Sequence, residues 1–244
     1  MNLPLNEADK RTDYMRTAIT FEQLEALRRL STCAVANAID TFNLRLRNEG
    51  FVDSSVHCHF PRLAPMLGYA VTVKVRCSNP PVNGRAYVDR TDWWHDILTV
   101  PAPRVVVIQD VDDRPGTGAF LGEVHASILL ALGCVGALTN GAVRDLPAVE
   151  SMRFQMFSGS VAVSHAYAHI VEIGGEVAIG GLKIKPGDLL HGDQHGVLSV
   201  PRRIAAKIPS VALELLAEEQ KLIALCRSHD FTLEKLRAAV KGKP

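Results

Sequence analysis

Residues 104–145 read RVVVIQDVDDRPGTGAFLGEVHASILLALGCVGALTNGAVRD, and this stretch decides the fold. Arg104–Gln109 is a short, unbroken β-branched run between Pro103 and Asp110, the pattern of a strand buried on both faces. Residues 110–122 carry Pro115, Gly116, Gly118 and Gly122 and read as a loop. Glu123–Leu132 reads as a helix, apolar on most sides and therefore expected to be buried, with Gly133 placed to end it. Cys134–Thr139 is a second buried strand, followed by the polar turn Asn140–Asp145. Strand, loop, helix and strand make a βαβ unit. Such a unit sets the helix N-terminus beside the carboxyl ends of its strands, where ligands of open α/β sheets gather. The amides of Glu123, Val124 and His125 open that helix without intrahelical partners, at the positive end of its dipole, where a carboxylate or phosphate is favoured. Glu123, Arg144 and Asp145 are therefore expected to converge.

Outward from this unit, Thr20 and Gln23 form a capping-box pair ahead of a helix over 21–30, and Ser31 or Thr32 caps a second helix from Cys33 to Phe42. Tyr69–Val75 alternates with period two, which predicts a half-buried strand. Residues 76–103, with four prolines and Trp93-Trp94, predict an irregular excursion with one short helix over 92–98. From Phe154 onward, glycine- and proline-punctuated strands predict hairpins and bulges rather than further βαβ units, and Pro201 closes them. A long helix over 202–227 and a short one over 232–240 follow. The division expected is an N-terminal arm, 1–19, and a single α/β domain with helical ends, 20–244.

The chain has 244 residues, 47% hydrophobic and 22% charged. A chain of this length buries roughly 70–75% of its unfolded surface, so no staple is needed. Twenty-seven Lys+Arg against 26 Asp+Glu leave a formal charge of +1, so no net field draws it to nucleic acid or a membrane. Five cysteines, no two closer than 19 residues, form neither a disulfide framework nor a zinc pattern. The opening residues lack the apolar core of a signal peptide, and a cytoplasmic location is expected.

Two acidic oxygens can hold a hard divalent cation that keeps several waters, and a guanidinium can stabilise developing oxygen charge. Glu123, Arg144 and Asp145 thus suit enolate formation from a 2-oxo acid; the competing reading is a structural Arg144–Asp145 turn and a Glu123 that merely favours a helix start. Gly116, Gly118 and Gly122 are spaced one residue too far apart for a dinucleotide fingerprint. His165 with His169, and His191 with His195, are spaced i, i+4 but lack a third ligand, so structural histidines or pocket donors are the better reading. The adjacent His57-Cys58-His59 cannot all face one ion. Trp93 and Trp94 read as core or interface aromatics rather than a lid.

The run from Gly122 to His125 and from Gly133 to Asp145, with a second run from Gly180 to Leu190 continuing through Gly192–Pro201, resembles the RraA-like superfamily. This superfamily includes the divalent-metal-dependent 4-hydroxy-4-methyl-2-oxoglutarate/4-carboxy-4-hydroxy-2-oxoadipate aldolases. The resemblance implies a layered β/β/α swivelling-domain fold. It implies Asp145 as metal ligand, Glu123 reaching the metal through water, and Arg144 on the keto or enolate oxygen. The pyruvyl carboxylate is implied on the amides of Val124 and His125, beside Gly122. It further implies Mg²⁺ or Mn²⁺, a trimer or hexamer with the site at a subunit boundary, and a glutamate from the neighbouring C-terminal helix: Glu218 or Glu219, with Glu219 preferred. The catalytic set is then Glu123, Arg144 and Asp145, acting on a small 2-oxo acid. Asn140 stands where the family usually carries aspartate, which removes a negative charge near the proposed metal. Some relatives are ring-shaped proteins that inhibit a ribonuclease, so the alternatives are a non-catalytic regulator that binds a ribonuclease or another partner, and a related metal enzyme on a different hydroxy or oxo acid.

Overall fold

The computed structural model describes residues 19–81 and 89–241. The expected arm lies outside the described residues except for Ile19, as does part of the 76–103 excursion. Helix α1 (Phe21–Arg28) carries both halves of the predicted capping box: Gln23 N–H donates to Thr20 Oγ1 at 3.2 Å, and Thr20 N–H to Gln23 Oε1 at 2.9 Å. Helix α2 (Thr32–Asp40) starts on Ser31. The strands β1 (His57–Cys58), β2 (Met66–Arg76), β3 (Arg104–Asp110), β5 (Cys134–Thr139) and β7 (Gln155–Ser158) share one sheet with β9 (His169–Ile173), β12 (Leu189–Asp193) and β13 (Gly196–Val200). Its order is β1-β7-β5-β3-β2-β12-β13, with β9 also on β2. Helix α3 (Arg90–Thr99) precedes β3, and α4 (Glu123–Ala131) crosses from β3 to β5, which are parallel.

The sheet curls toward a barrel and has two filled faces, which gives the layered β/β/α fold the sequence led us to expect. Strand β3 shows why its sequence is unbroken: Val106 and Ile108 join the helix-side core, while Val105 and Val107 join a second core. That second core is closed by the antiparallel hairpin of β10 (Val177–Ile179) and β11 (Leu182–Ile184). Strand β2 is buried almost throughout rather than half-buried, because it is central: β3 flanks it on one side, and β12 then β9 on the other. Its polar alternates are absorbed locally: Thr72 donates to the Gly175 carbonyl at 2.7 Å, and Lys74 pairs with Glu172 at 2.9 Å.

Other expectations are corrected. Helix α4 buries only Ala126 and Leu129, since one face alone packs on the sheet, and Val124 is 72% exposed. Strand β7 is parallel to β5 across a short helix, α5 (Leu146–Ser151), so a second βαβ unit precedes the hairpins. The long C-terminal helix is two, α6 (Arg202–Ala205) and α7 (Ile208–Arg227), because Pro209 cannot continue a helix from Arg202 but fits the first turn of a new one. Helix α8 (Leu233–Val240) follows. Trp93 is fully buried, as read. No helix among the described residues is long and apolar enough to cross a membrane.

A buried polar latch ties α2 to β12. Thr32 N–H donates to Asp193 Oδ2 at 2.9 Å, and Thr32 Oγ1 lies 3.0 Å from His191 Nδ1. His191 Nε2 lies 3.2 Å from the Leu27 carbonyl, which can only accept, so Nε2 carries the proton and Nδ1 accepts from Thr32. Burial pushes the His191 imidazole below its usual range. Burial pulls Asp193 upward, but the amides of His195 and Thr32 outweigh it and hold the carboxyl below the usual range. Both shifts cost stability in acid. Above about pH 6.5, His191 is neutral folded or unfolded; below it the unfolded chain binds a proton that the fold resists. Asp193 contributes fully above about pH 3.9, and that contribution is lost as pH falls through its lower folded value. The urea midpoint is expected to fall between pH 7 and pH 5. His191→Gln should start lower by about 1–3 kcal/mol and show a flatter decline. Urea titrations across that window check this, and a variant with the wild-type slope would count against the latch.

Candidate active site

Three strands of two or three residues build the site. β4 (Ala119–Leu121), β6 (Ala142–Val143) and β8 (Ser160–Val161) form a small parallel sheet in the order β4-β6-β8. Leu121 pairs with Val143, so the residues that follow each strand emerge side by side. From β4 come Gly122 and Glu123, which open α4; from β6 come Arg144 and Asp145, and Arg144 N–H donates to the Leu121 carbonyl at 3.0 Å. From β8 the chain enters the 162–168 loop that carries His165. This register closes the separation of 22 positions between Glu123 and Asp145.

The contact it creates is specific. Glu123 N–H donates to Asp145 Oδ2 at 3.0 Å, and Arg144 Nε lies 3.4 Å from the same oxygen. Asp145 adopts the left-handed conformation, φ +57° and ψ +35°, which Asp tolerates better than most residues. It precedes α5 without capping it, and its side chain turns to the N-terminus of α4 instead. One of the three helix-opening amides is thus taken by Asp145, while those of Val124 and His125 have no side-chain acceptor among the described residues. Gly122 is extended, φ −148°, so it is required for room rather than for its dihedral angles: a Cβ there would meet Asp145 Oδ2 at 2.5 Å.

These residues line a cleft of about 440 Å³. Gly122, Glu123, Val124, His125, Arg144 and Asp145 form one wall; His165, Tyr167 and His169 form another, and Arg90 and Phe120 complete the lining used below. His125 stacks on Phe120, centroids 4.9 Å apart at 16°. Burial, then the charges of Arg90 and Arg144, push its imidazole down to about 4, so it is neutral at physiological pH. His165 and His169 are not on a helix. Their Nδ1 atoms lie 2.8 Å and 2.7 Å from the carbonyls of Ala166 and Tyr167, which fixes the proton on Nδ1 and makes Nε2 the acceptor of each neutral ring. His191 belongs to the buried latch, and His195 to an exposed turn on Asp193.

One residue behaves otherwise than its position implied. Asn140 does not line the cleft: its Oδ1 accepts from Asp110 N–H at 2.8 Å and its Nδ2 donates to the Asp110 carbonyl at 2.9 Å. This reciprocal pair clamps the ends of β3 and β5, and an aspartate could not make its donor half. Glu219, on α7, lies 3.5 Å from Asn37 Nδ2 of α2 and is not among the residues lining this cleft in its own chain.

Sequence reading missed one cluster. Cys77, Asp110 and Asp112 are buried, with ligand atoms within 4.8 Å of one another, a group that could hold a metal ion. Its carboxylates already accept backbone N–H groups: Asp110 from Gly116 and Asp112, Asp112 from Cys77 and Ser78. Burial pushes the Cys77 thiol up to about 12, so a soft metal would first have to displace its proton. By contrast, neither Asp145 Oδ1 nor the Glu123 carboxylate accepts a hydrogen bond among the described residues. Two open oxyanions in a solvent-reached cleft fit Mg²⁺ or Mn²⁺, hard cations that need few carboxylates and keep several waters.

Comparison with known proteins agrees with this architecture. Over 99 residues, 40% of the chain, it is 32% identical to a protein of Halalkalibacterium halodurans named "Putative 4-hydroxy-4-methyl-2-oxoglutarate aldolase", and the match spans 46% of that relative's length. An uncharacterized protein from Pseudomonas syringae pv. tomato shares the fold at TM-score 0.67 and 24% identity, covering 90% of this chain and 98% of that one. Streptomyces coelicolor RraAS2, described as an unusual member of the RNase ES inhibitor RraA protein family, shares it at TM-score 0.64 and 20% identity, covering 83% and 96%. The RraA-like family description, Aldolase/RraA, matches residues 32–199, more than half of the sequence, and the chain belongs to that family.

Proposed function

We propose that the chain is a divalent-metal-dependent carbon–carbon lyase that releases pyruvate from a 4-substituted 2-oxo acid, by retro-aldol cleavage or by decarboxylation where C4 is a carboxylate. One observation carries the reading: the Asp145 carboxylate is anchored by Glu123 N–H and Arg144 at the opening of α4, so acid, guanidinium and open helix amides share one cleft. Asp145 would hold the cation directly and Glu123 through water, with Glu219 of a neighbouring copy completing the set in a trimer or hexamer. When bound, the cation supplies Lewis-acid polarisation of the substrate's 2-oxo group.

The protein's own groups do the remainder. The amides of Val124 and His125, at the positive end of α4, seat the pyruvyl carboxylate. Arg144 faces the 2-oxo oxygen. As the C3–C4 bond breaks, its electron pair passes into the pyruvyl fragment as an enolate, and Arg144 stabilises the charge growing on that oxygen. In the aldol case the C4 hydroxyl proton leaves through a water held by Glu123, and C3 of the enolate is then protonated from the same side.

The test is pyruvate release from oxaloacetate and from 4-hydroxy-4-methyl-2-oxoglutarate, coupled to lactate dehydrogenase. Release is expected with Mg²⁺ or Mn²⁺ and is expected to stop with EDTA. A folded protein that releases pyruvate from neither substrate would sink the lyase reading and leave the partner-binding regulator or a related metal enzyme on another hydroxy or oxo acid.

A further inference from the structure

The cleft carries positive side chains at two places. Arg144 stands at one, beside Asp145; Arg90, the first residue of α3, stands at the other. The position of Arg90 is built into the core. Trp93 follows it by three residues and so shares its face of the helix. Trp93 is fully buried and meets Phe120 edge-on, centroids 5.6 Å apart at 62°. Phe120 in turn stacks on His125. The row Trp93–Phe120–His125 therefore fastens α3 to the floor of the cleft, and Asp89 caps the first turn by accepting from Thr91 N–H at 2.7 Å. Arg90 makes no hydrogen bond or ion pair with any described residue. The histidines of the facing wall are engaged elsewhere, with the Nδ1 atoms of His165 and His169 on the carbonyls of Ala166 and Tyr167. Arg90, His125 and Arg144 all line the same cleft.

We propose that Arg90 is the specificity-determining residue of this cleft: it receives a second anionic group, carried beyond C3 of the 2-oxo acid, while Arg144 and the opening of α4 hold the pyruvyl end. This rests on the 2-oxo acid reading above and adds to it the residue that meets the distal anion. A guanidinium that lines the cleft without a partner among the described residues attracts a carboxylate by a charge-assisted, forked pair of hydrogen bonds. A substrate with an uncharged tail would leave that guanidinium unmatched, so selection acts on the distal group and not on the reacting one.

Calorimetric titration of the whole protein with Mg²⁺ tests this by binding rather than turnover. The probes are 2-oxoglutarate, which has a distal carboxylate, and 2-oxobutyrate, which has the same proximal group without one. Arg90→Ala is expected to weaken 2-oxoglutarate by roughly tenfold to a hundredfold and to leave 2-oxobutyrate unchanged; Arg90→Lys should recover part of the loss. Equal weakening of both probes, or of neither, overturns the assignment of Arg90. A wild-type protein that binds neither probe overturns the 2-oxo acid reading itself, and Arg90 with it.

Discussion

Arg144→Ala is expected to lower kcat for pyruvate release by about 10²–10³-fold, the scale of about 2.7–4 kcal/mol seen when a preorganised oxyanion donor is removed. The reason the loss falls on the reaction rather than on folding lies in the exposure of the pair. The side chains of Arg144 and Asp145 are 36% and 38% exposed, and an ion pair so open to water contributes at most about 1 kcal/mol to stability. The backbone of Arg144 is held independently by its bond to the Leu121 carbonyl, so alanine leaves the β4–β6 register intact. What disappears is the guanidinium aimed at an oxygen whose charge grows during C3–C4 cleavage. If that charge is what Arg144 serves, kcat falls more than KM rises. Arg144→Lys should recover only part of the rate, because an ammonium supplies charge without the planar fork. Steady-state kinetics on both variants, with thermal midpoints alongside, checks this; a kcat for Arg144→Ala close to wild type would remove Arg144 from the reaction.

Much of the site was legible before the structure, and the manner of its legibility is instructive. The β-branched run of β3, the Gly133 stop and the buried β5 locate the βαβ unit from residue chemistry alone, and with it the opening of α4. The mutual approach of Glu123 and Asp145 follows from topology only in outline. Its cause is the β4-β6-β8 sheet, whose strands of two or three residues are too short to show any hydrophobic period. The same brevity hid the role of Gly116–Gly122, read as loop, where a Cβ on Gly118 would strike the His165 carbonyl at 2.6 Å and keep the facing wall from closing down. Asn140 shows the opposite limit. At the level of sequence it is a missing charge; in the fold its amide does work that a carboxylate cannot, and it faces the backbone of Asp110 rather than the cleft. Cys77 directly follows β2, Asp110 ends its parallel neighbour β3 and Asp112 lies in the loop after it, so their proximity depends on register, which spacing along the chain does not encode. Arg90 was passed over for a similar reason: nothing local marks it, and only the burial of Trp93 against Phe120 turns it toward the cleft.

Gly122→Ala tests the packing that makes this site, and about 10²-fold loss of kcat/KM with a folded protein is expected. The backbone of Gly122 is extended, so alanine meets no conformational penalty and the N-terminal turn of α4, with Ala126 N–H on the Gly122 carbonyl, can stay in place. The new methyl, however, would lie 2.5 Å from Asp145 Oδ2 and 3.0 Å from Arg144 Cγ. Asp145 cannot retreat cheaply, because it already occupies the left-handed region and its backbone is set by β6 on one side and α5 on the other. Its carboxylate must swing away and give up the 3.0 Å bond from Glu123 N–H, and Arg144 must move with it. A displacement of about 1 Å in a positioning group can cost on the order of 10²-fold in rate. The clash predicts its own signature in a double-mutant cycle. Once Asp145→Ala has removed the carboxylate, adding Gly122→Ala should cost little more, so the two losses are strongly non-additive. Additive losses would mean that the glycine serves something other than the seat of Asp145.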